Sequence, residues 1–210
     1  LLMDSQYHVV TKYSHHVPRD HQMIYISATN KIDDQVLVEN TIVYDLSDQE
    51  LDTIKHYYIS VDKRNRVELL RKFSNIPDFR CLVFFNSLSD LGATEVRLQV
   101  TGASAVSLAS GINFKFRKVI LEKFKNHEIS LLLGTDLLAR GIDVENLEVV
   151  INFDIPRDRE AYTHRAGRTG RMGNEGRVIS LVSHPEELKK LKKFAKVSEI
   201  VLKNQEIHEK

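Results

Sequence analysis

From Arg80 onward, short apolar runs alternate with amphipathic stretches, and this alternation restricts the fold more than any other feature. The runs are CLVFF (81–85), AVSL (105–108), ISLLL (129–133), EVVIN (148–152) and RVISLV (177–182). Each has the length of a strand, and their β-branched content suits strands buried on both faces. Between and before them lie helical patterns. KRNRVELLRKFSNI (63–76) sets Val67, Leu69, Leu70 and Phe73 on one helical face, and FKFRKVILEKFKNH (114–127) does so with Phe116, Ile120, Leu121 and Phe124. KKLKK (189–193) reads as the wet face of a terminal helix whose Leu188, Leu191 and Phe194 turn inward. The pattern predicts an α/β fold with a mainly parallel sheet of five or six strands flanked by helices. Such sheets bind ligands beyond the carboxyl ends of their strands.

Residues 1–60 follow a different pattern. QMIYISATN (22–30) reads as one strand ending in a polar turn, and KIDDQVLVENTIVYDLSDQELD (31–52) is acidic with no strong period. The organisation expected is a partial first unit over 1–40, a connecting stretch over 41–52 and a complete α/β domain over 53–210. A length of 210 residues suits one domain plus part of another. The net charge is only +1, so any face for a polyanion must be local. Cys81 is the single cysteine, so no disulfide framework exists and an intracellular, cytoplasmic setting is expected. No apolar run approaches the ~18 residues of a membrane span. The opening LLMDSQYH lacks a basic region followed by an apolar stretch, and reads instead as an element cut short. His15 and His16 have no third ligand at metal spacing.

Two constellations carry chemistry. In YTHRAGRTGR (162–171), Arg165, Arg168 and Arg171 recur every third position behind His164. A guanidinium keeps its charge and donates in a fork that matches phosphate oxygens. Gly167 and Gly170 would let the backbone approach a ligand. The alternative is an exposed basic turn satisfied by Asp158, Glu160 and Glu175. The second constellation is LLLGTDLLARGIDVENLEVVINFDIP (131–156). Thr135 and Asp136 directly follow a buried strand, and Arg140 and Asp143 flank Gly141 on the next loop. For Asp136 a helix N-cap is the plainer role, and for Arg140 and Asp143 a local ion pair. The expected geometry sets Thr135, Asp143 and Arg168 on one rim of the sheet.

TDLLARGID followed by HRAGRTGR, with VFFNS (83–87) and SAT (27–29) before them, resembles the DEAD-box RNA helicase family. These stretches match its motifs V, VI, IV and III, and LLMD resembles the residues just after its acidic tetrad. The resemblance covers almost the whole chain. It implies a RecA-like domain preceded by the tail of a first RecA-like domain. It also implies an ATP-dependent helicase acting on RNA, with ATP and Mg²⁺ bound mainly by that first domain. The sequence holds no G-x-x-x-x-G-K-[ST] and no D-E-A-D. The chain alone is therefore expected to be inactive as an ATPase.

By position, the resemblance implies that Arg168 and Arg171 are arginine fingers and that Asp143 contacts the ATP ribose. His164 and Arg140 would meet the acidic motif of the first domain. Ser27 and Thr29 would link the ATP and RNA sites. Thr135, Gly141 and Arg117 would contact the RNA backbone. The family commonly shows Leu-His-Gly and then Gln and Arg. Here Ala109 stands for the histidine, Ser110 for the glycine and Phe114 for the glutamine. Arg117 remains, and it is either a phosphate contact or a solvated helix arginine. The implied partners are RNA, ATP and the first RecA-like domain of the same protein, with no membrane. Two rivals stay open: a related DNA translocase, and a free-standing RNA- or protein-binding module without ATPase activity.

Overall fold

The computed structural model describes residue 42 and residues 53–108, 113–137, 147–170 and 174–210. By internal contacts the chain divides into two units, Leu1–Glu50 and Leu51–Lys210. Almost all described residues belong to the second.

In that unit the strands are β1 (Ile54–Ser60), β2 (Cys81–Phe85), β3 (Ala105–Ser107), β4 (Leu131–Thr135), β5 (Val149–Asn152), β6 (Gly176–Val182), β7 (Ser198–Lys203) and β8 (Glu206–Glu209). The helices are α1 (Arg66–Ser74), α2 (Leu88–Val100), α3 (Phe114–Lys125), α4 (Arg159–Ala166) and α5 (Pro185–Leu191). The strands form one sheet in the order β3-β4-β2-β5-β6-β1-β7-β8. All neighbours are parallel except β7 and β8, which form an antiparallel hairpin.

All five residues of β2 are buried. Its side chains alternate between two cores. Cys81, Val83 and Phe85 join Val67, Leu70, Phe73, Leu91 and Leu98 under α1 and α2. Leu82 and Phe84 join Phe124, Tyr162, Ala166 and Leu191 under α3, α4 and α5. Continuous burial explains why the strand reads as an unbroken apolar run.

Three helices, α2, α3 and α4, start where short polar side chains satisfy exposed backbone N–H groups. Ser87 accepts from Ser89 N and Asp90 N, Asn113 from Lys115 N, and Asp158 from Ala161 N. Pro185 opens α5, where its fixed φ fits. At the far end of α3, Arg80 donates to the carbonyls of Phe124 and Lys125 at 3.2 and 3.0 Å. That end of α3 lies beside the amino end of β2, so its start faces the carboxyl ends of β3 and β4.

The expected mainly parallel sheet with helices on both faces is present, but it has eight strands rather than five or six. The additional strands are β1, β7 and β8. Leu191 is fully buried, with Leu188 and Phe194 packed against the same core, as the spacing predicts. Phe116 departs from expectation, being 68% exposed rather than in the core.

Candidate functional site

The carboxyl ends of β2, β4 and β5 leave polar residues just beyond buried strands: Asn86, Asp136 and Asp154. One side chain gathers them. Arg165, on the last turn of α4, is 1% exposed. Its Nε donates to Asp136 Oδ1 at 2.6 Å and its Nη2 to Asp136 Oδ2 at 2.8 Å. Nη2 also donates to Asn86 Oδ1 at 2.7 Å. Nη1 donates to Asn152 Oδ1 at 3.2 Å and to the Asp154 carbonyl at 3.0 Å. A guanidinium has five N–H donors, and these bonds occupy all of them. The Phe84 ring centre lies 5.1 Å from the guanidinium carbon. Burying this charge is tolerable because the pairing is bidentate and complete.

The network continues across the rim. Asp154 Oδ2 accepts from Asn86 N at 3.1 Å, and Asp154 Oδ1 lies 3.4 Å from Nη1 of Arg66. Arg66, also 1% exposed, donates to Phe153 O and to Glu187 Oε2, each at 2.8 Å. Glu187 Oε2 in turn accepts from Ser183 N at 2.7 Å. Helices α1, α4 and α5 are thus tied to the strand ends through two buried arginines.

The chain leaving α4 is held just as firmly, but at the other end of the sheet. Thr169 is buried, and its hydroxyl bonds to the carbonyls of Leu147 and Glu148, just before β5. Gly170 has φ +66°, and a Cβ there would lie 2.5 Å from Ile54 Cγ1 at the start of β1. A Cβ on Gly176, the first residue of β6, would lie 2.5 Å from Gly170 N. Gly170 is therefore required by a left-handed turn and by internal packing. This corrects the reading in which it clears space for a ligand.

The same geometry sets the backbones of Thr135 and Arg168 toward opposite ends of the strands, where one rim was expected. Thr135, half-buried, closes the carboxyl end of β4. Arg168, also half-buried, follows α4 and immediately precedes residues packed on the amino ends of β1, β5 and β6. A four-residue strand separates those ends by ~13 Å. Two candidate surfaces result: a rim bearing Thr135 and the start of α3 with Arg117, and a flank along α4 bearing His164 and Arg168. Arg165 joins them, since its backbone belongs to the flank and its guanidinium to the rim.

Ser27, Thr29, Arg140, Gly141, Asp143 and Arg171 lie outside the described residues, as do Ala109 and Ser110. The exposed basic turn expected as the alternative for Arg165 is not what forms. Asp158 caps α4, Glu175 lies 3.8 Å from Lys55, and Asp136 takes the arginine. Asp136 receives Arg165 on its two carboxylate oxygens; the helix it was expected to cap lies outside the described residues. Sequence reasoning missed Arg66, Asn86, Asn152, Asp154 and Glu187 as partners. For Asn86 and Asp154 a signal existed, because each is a polar residue set directly against a buried apolar run.

A model of the helicase conserved C-terminal domain matches residues 64–173, just over half of the chain. The probable ATP-dependent RNA helicase YfmL of Bacillus subtilis is 40% identical over 157 residues, covering 72% of this chain and 42% of that protein. The DEAD-box ATP-dependent RNA helicase CshA of Geobacillus kaustophilus is 30% identical over 162 residues, covering 73% of this chain and 34% of its own. The chain thus spans less than half the length of these relatives. Among solved structures, a DEAD box protein from Methanococcus jannaschii superposes with a TM-score of 0.61 at 31% identity, over 71% of this chain and 42% of that one. Saccharomyces cerevisiae Dbp5 bound to RNA and ADP BeF3 superposes with a TM-score of 0.79 over 95% of this chain and 56% of its own; at 22% identity the likeness is one of fold. The parallel sheet, the ordered motifs and the matched domain together make the chain a member of the helicase conserved C-terminal domain family, of the DEAD-box RNA helicase type.

Proposed function

We propose that the chain is the C-terminal part of an ATP-dependent RNA helicase, in which ATP and RNA close two RecA-like domains and strain bound RNA. On this reading 53–210 is the second domain, 41–52 a linker and 1–40 the tail of the first. Thr135, Gly141 and Arg117 contact the RNA backbone. Arg168 and Arg171 stabilise charge on the transferring phosphoryl group, a role worth roughly 10³–10⁵ in rate. Asp143 contacts the ribose, while His164, Arg140, Ser27 and Thr29 couple the domains. We infer a cytoplasmic setting from the single cysteine, which is buried.

The observation that carries the reading is the Arg165 bridge. The strand end bearing Thr135 and the helix that carries His164 and leads into Arg168 are fixed to each other by one ion pair, whose arginine is buried and whose Asp136 is half-exposed. An RNA-contacting rim and a phosphate-contacting flank held in this way would move as one piece, which coupling of RNA binding to ATP turnover requires. Among the described residues the flank offers cationic and donor groups, while Asp136 and Asp154 are already engaged with arginines. That set suits phosphate oxygens and not Mg²⁺, so Mg²⁺ would be held by carboxylates of the first domain, where it would neutralise charge on the phosphates.

Salt titration of RNA binding by the 210-residue chain tests the reading. Single-stranded RNA should bind weakly, with affinity falling steeply as salt rises, because the contacts are to phosphates. Tight binding that survives high salt would contradict it. In the full-length protein, ATP turnover should respond to RNA and not to DNA; an equal response to DNA would favour the translocase reading.

A further inference from the structure

The helical spacing predicts Phe116 in the core, yet its ring is largely in solvent. Phe116 lies in the first turn of α3, which begins at the carboxyl end of β3. Val119, one turn on, is 47% exposed. Leu137, two residues beyond the end of the neighbouring β4, is 69% exposed. Exposed apolar side chains thus lie on the two neighbouring elements, the start of α3 and the end of β4, that form this corner of the rim.

That corner is also cationic. Lys115 and Lys118 are exposed and Arg117 is half-buried, and the first turn of α3 carries no acid. Glu122 lies 3.9 Å from Lys118, but the pair is solvent-exposed and holds the lysine only weakly. A flat ring with a cation, Lys115, beside it suits a ligand with flat apolar faces strung on a negative backbone. Single-stranded nucleic acid has that chemistry, and stacking of bases on exposed aromatic rings tolerates any sequence. A duplex does not, because its base faces are stacked inside the helix.

We propose that Phe116 is a stacking platform for a base of single-stranded RNA, with Lys115 holding an adjoining phosphate. The proposal rests on the RNA reading above and adds a base contact to a surface otherwise limited to the backbone. It also gives a reason for an aromatic ring that the domain core does not use.

The chain contains no tryptophan, so Phe116→Trp introduces a single fluorescent reporter. The probes are an oligouridine of about a dozen nucleotides and an abasic ribose–phosphate oligomer of the same length and charge. The oligouridine should quench the Phe116→Trp signal, and the abasic oligomer should not. In anisotropy titrations Phe116→Ala should weaken oligouridine binding roughly 5- to 100-fold, leave abasic binding unchanged and keep the salt slope. Phe116→Tyr should bind like the parent. Equal parental affinity for the two oligomers, or an equal loss for both in Phe116→Ala, would overturn the stacking platform and leave the RNA reading standing. Failure of the parent to bind either oligomer would overturn both. Unchanged RNA binding in Phe116→Ala, with loss of self-association in sedimentation, would make the corner a protein interface and also overturn the proposal.

Discussion

Arg165 shows how much of a site can hang on one side chain. In the sequence it is one of three evenly spaced arginines, and nothing in the spacing separates it from Arg168. Its burial and its five bonds do. Lysine would bring a point charge without the fork, leaving the buried Asn152 oxygen or the part-buried Asn86 oxygen unpaired, while half-exposed Asp136 can turn to water. Arg165→Lys should therefore cost about 1–3 kcal/mol, the usual penalty for leaving a buried polar group without its partner. For a domain of this size that lowers the melting temperature on the order of 5 °C. A variant melting with the parent would mean that these bonds do not stabilise the fold. The Asp136 partner was illegible for a simple reason: the two residues are far apart in sequence, and only the return of α4 to the strand ends brings them together.

At the scale of elements, strands buried on both faces were legible and the half-exposed strands β1, β7 and β8 were not. β2, β4, β5 and β6 are apolar on both faces, and the sequence marks them as such. β7 and β8 mix half-buried and charged residues. Their hairpin turns on Asn204 and Gln205, both with positive φ, where glycine would have been the usual signal. Helix α4 was obscured by the arginines and glycines that follow it. Its exit turn makes a paired test. Gly170→Ala must place a side chain at φ +66° and against Ile54, so it should destabilise by at least ~1–2 kcal/mol. Gly92 sits inside α2, and a Cβ there would meet nothing within 4 Å, so Gly92→Ala should stabilise by about 0.5–1 kcal/mol. Urea midpoints should move in opposite directions; a shift of the same sign in both would count against the backbone described for the turn.

For the molecule as a whole, burial of weak acids sets an alkaline limit. Desolvation raises the Tyr162 hydroxyl well above its ordinary value of 10.0 and raises Tyr57 and Tyr58 less strongly. Burial also pushes the Cys81 thiol up. The folded chain keeps these protons at pH values where the unfolded chain releases them. Their contribution is thus intact below about pH 8 and is lost, first for the thiol and then for the tyrosines, as pH rises through about 9 and 10 toward the folded values. Thermal melts between neutral pH and pH 11 should show this decline, and Tyr162→Phe should make it shallower; an identical slope would remove Tyr162 as a cause. At this scale the α/β class and the helicase motifs were legible in the sequence. The separation of Thr135 from Arg168 was not, because the length of α4, which carries the chain from one end of the sheet to the other, cannot be read from motif order.

The division of labour proposed for this domain gives the α4 flank to phosphoryl transfer and the rim to RNA. RNA-stimulated ATP turnover in the full-length protein probes that division without an intermediary, with Arg168→Ala and Arg171→Ala set beside the parent and RNA affinity measured in the same buffer. In both variants kcat should fall roughly 10²-fold or more while RNA affinity stays near the parent's, because the lost contacts belong to the transition state. Turnover near the parent's value in both variants would refute the assignment, and HRAGRTGR would then have to serve RNA instead of ATP.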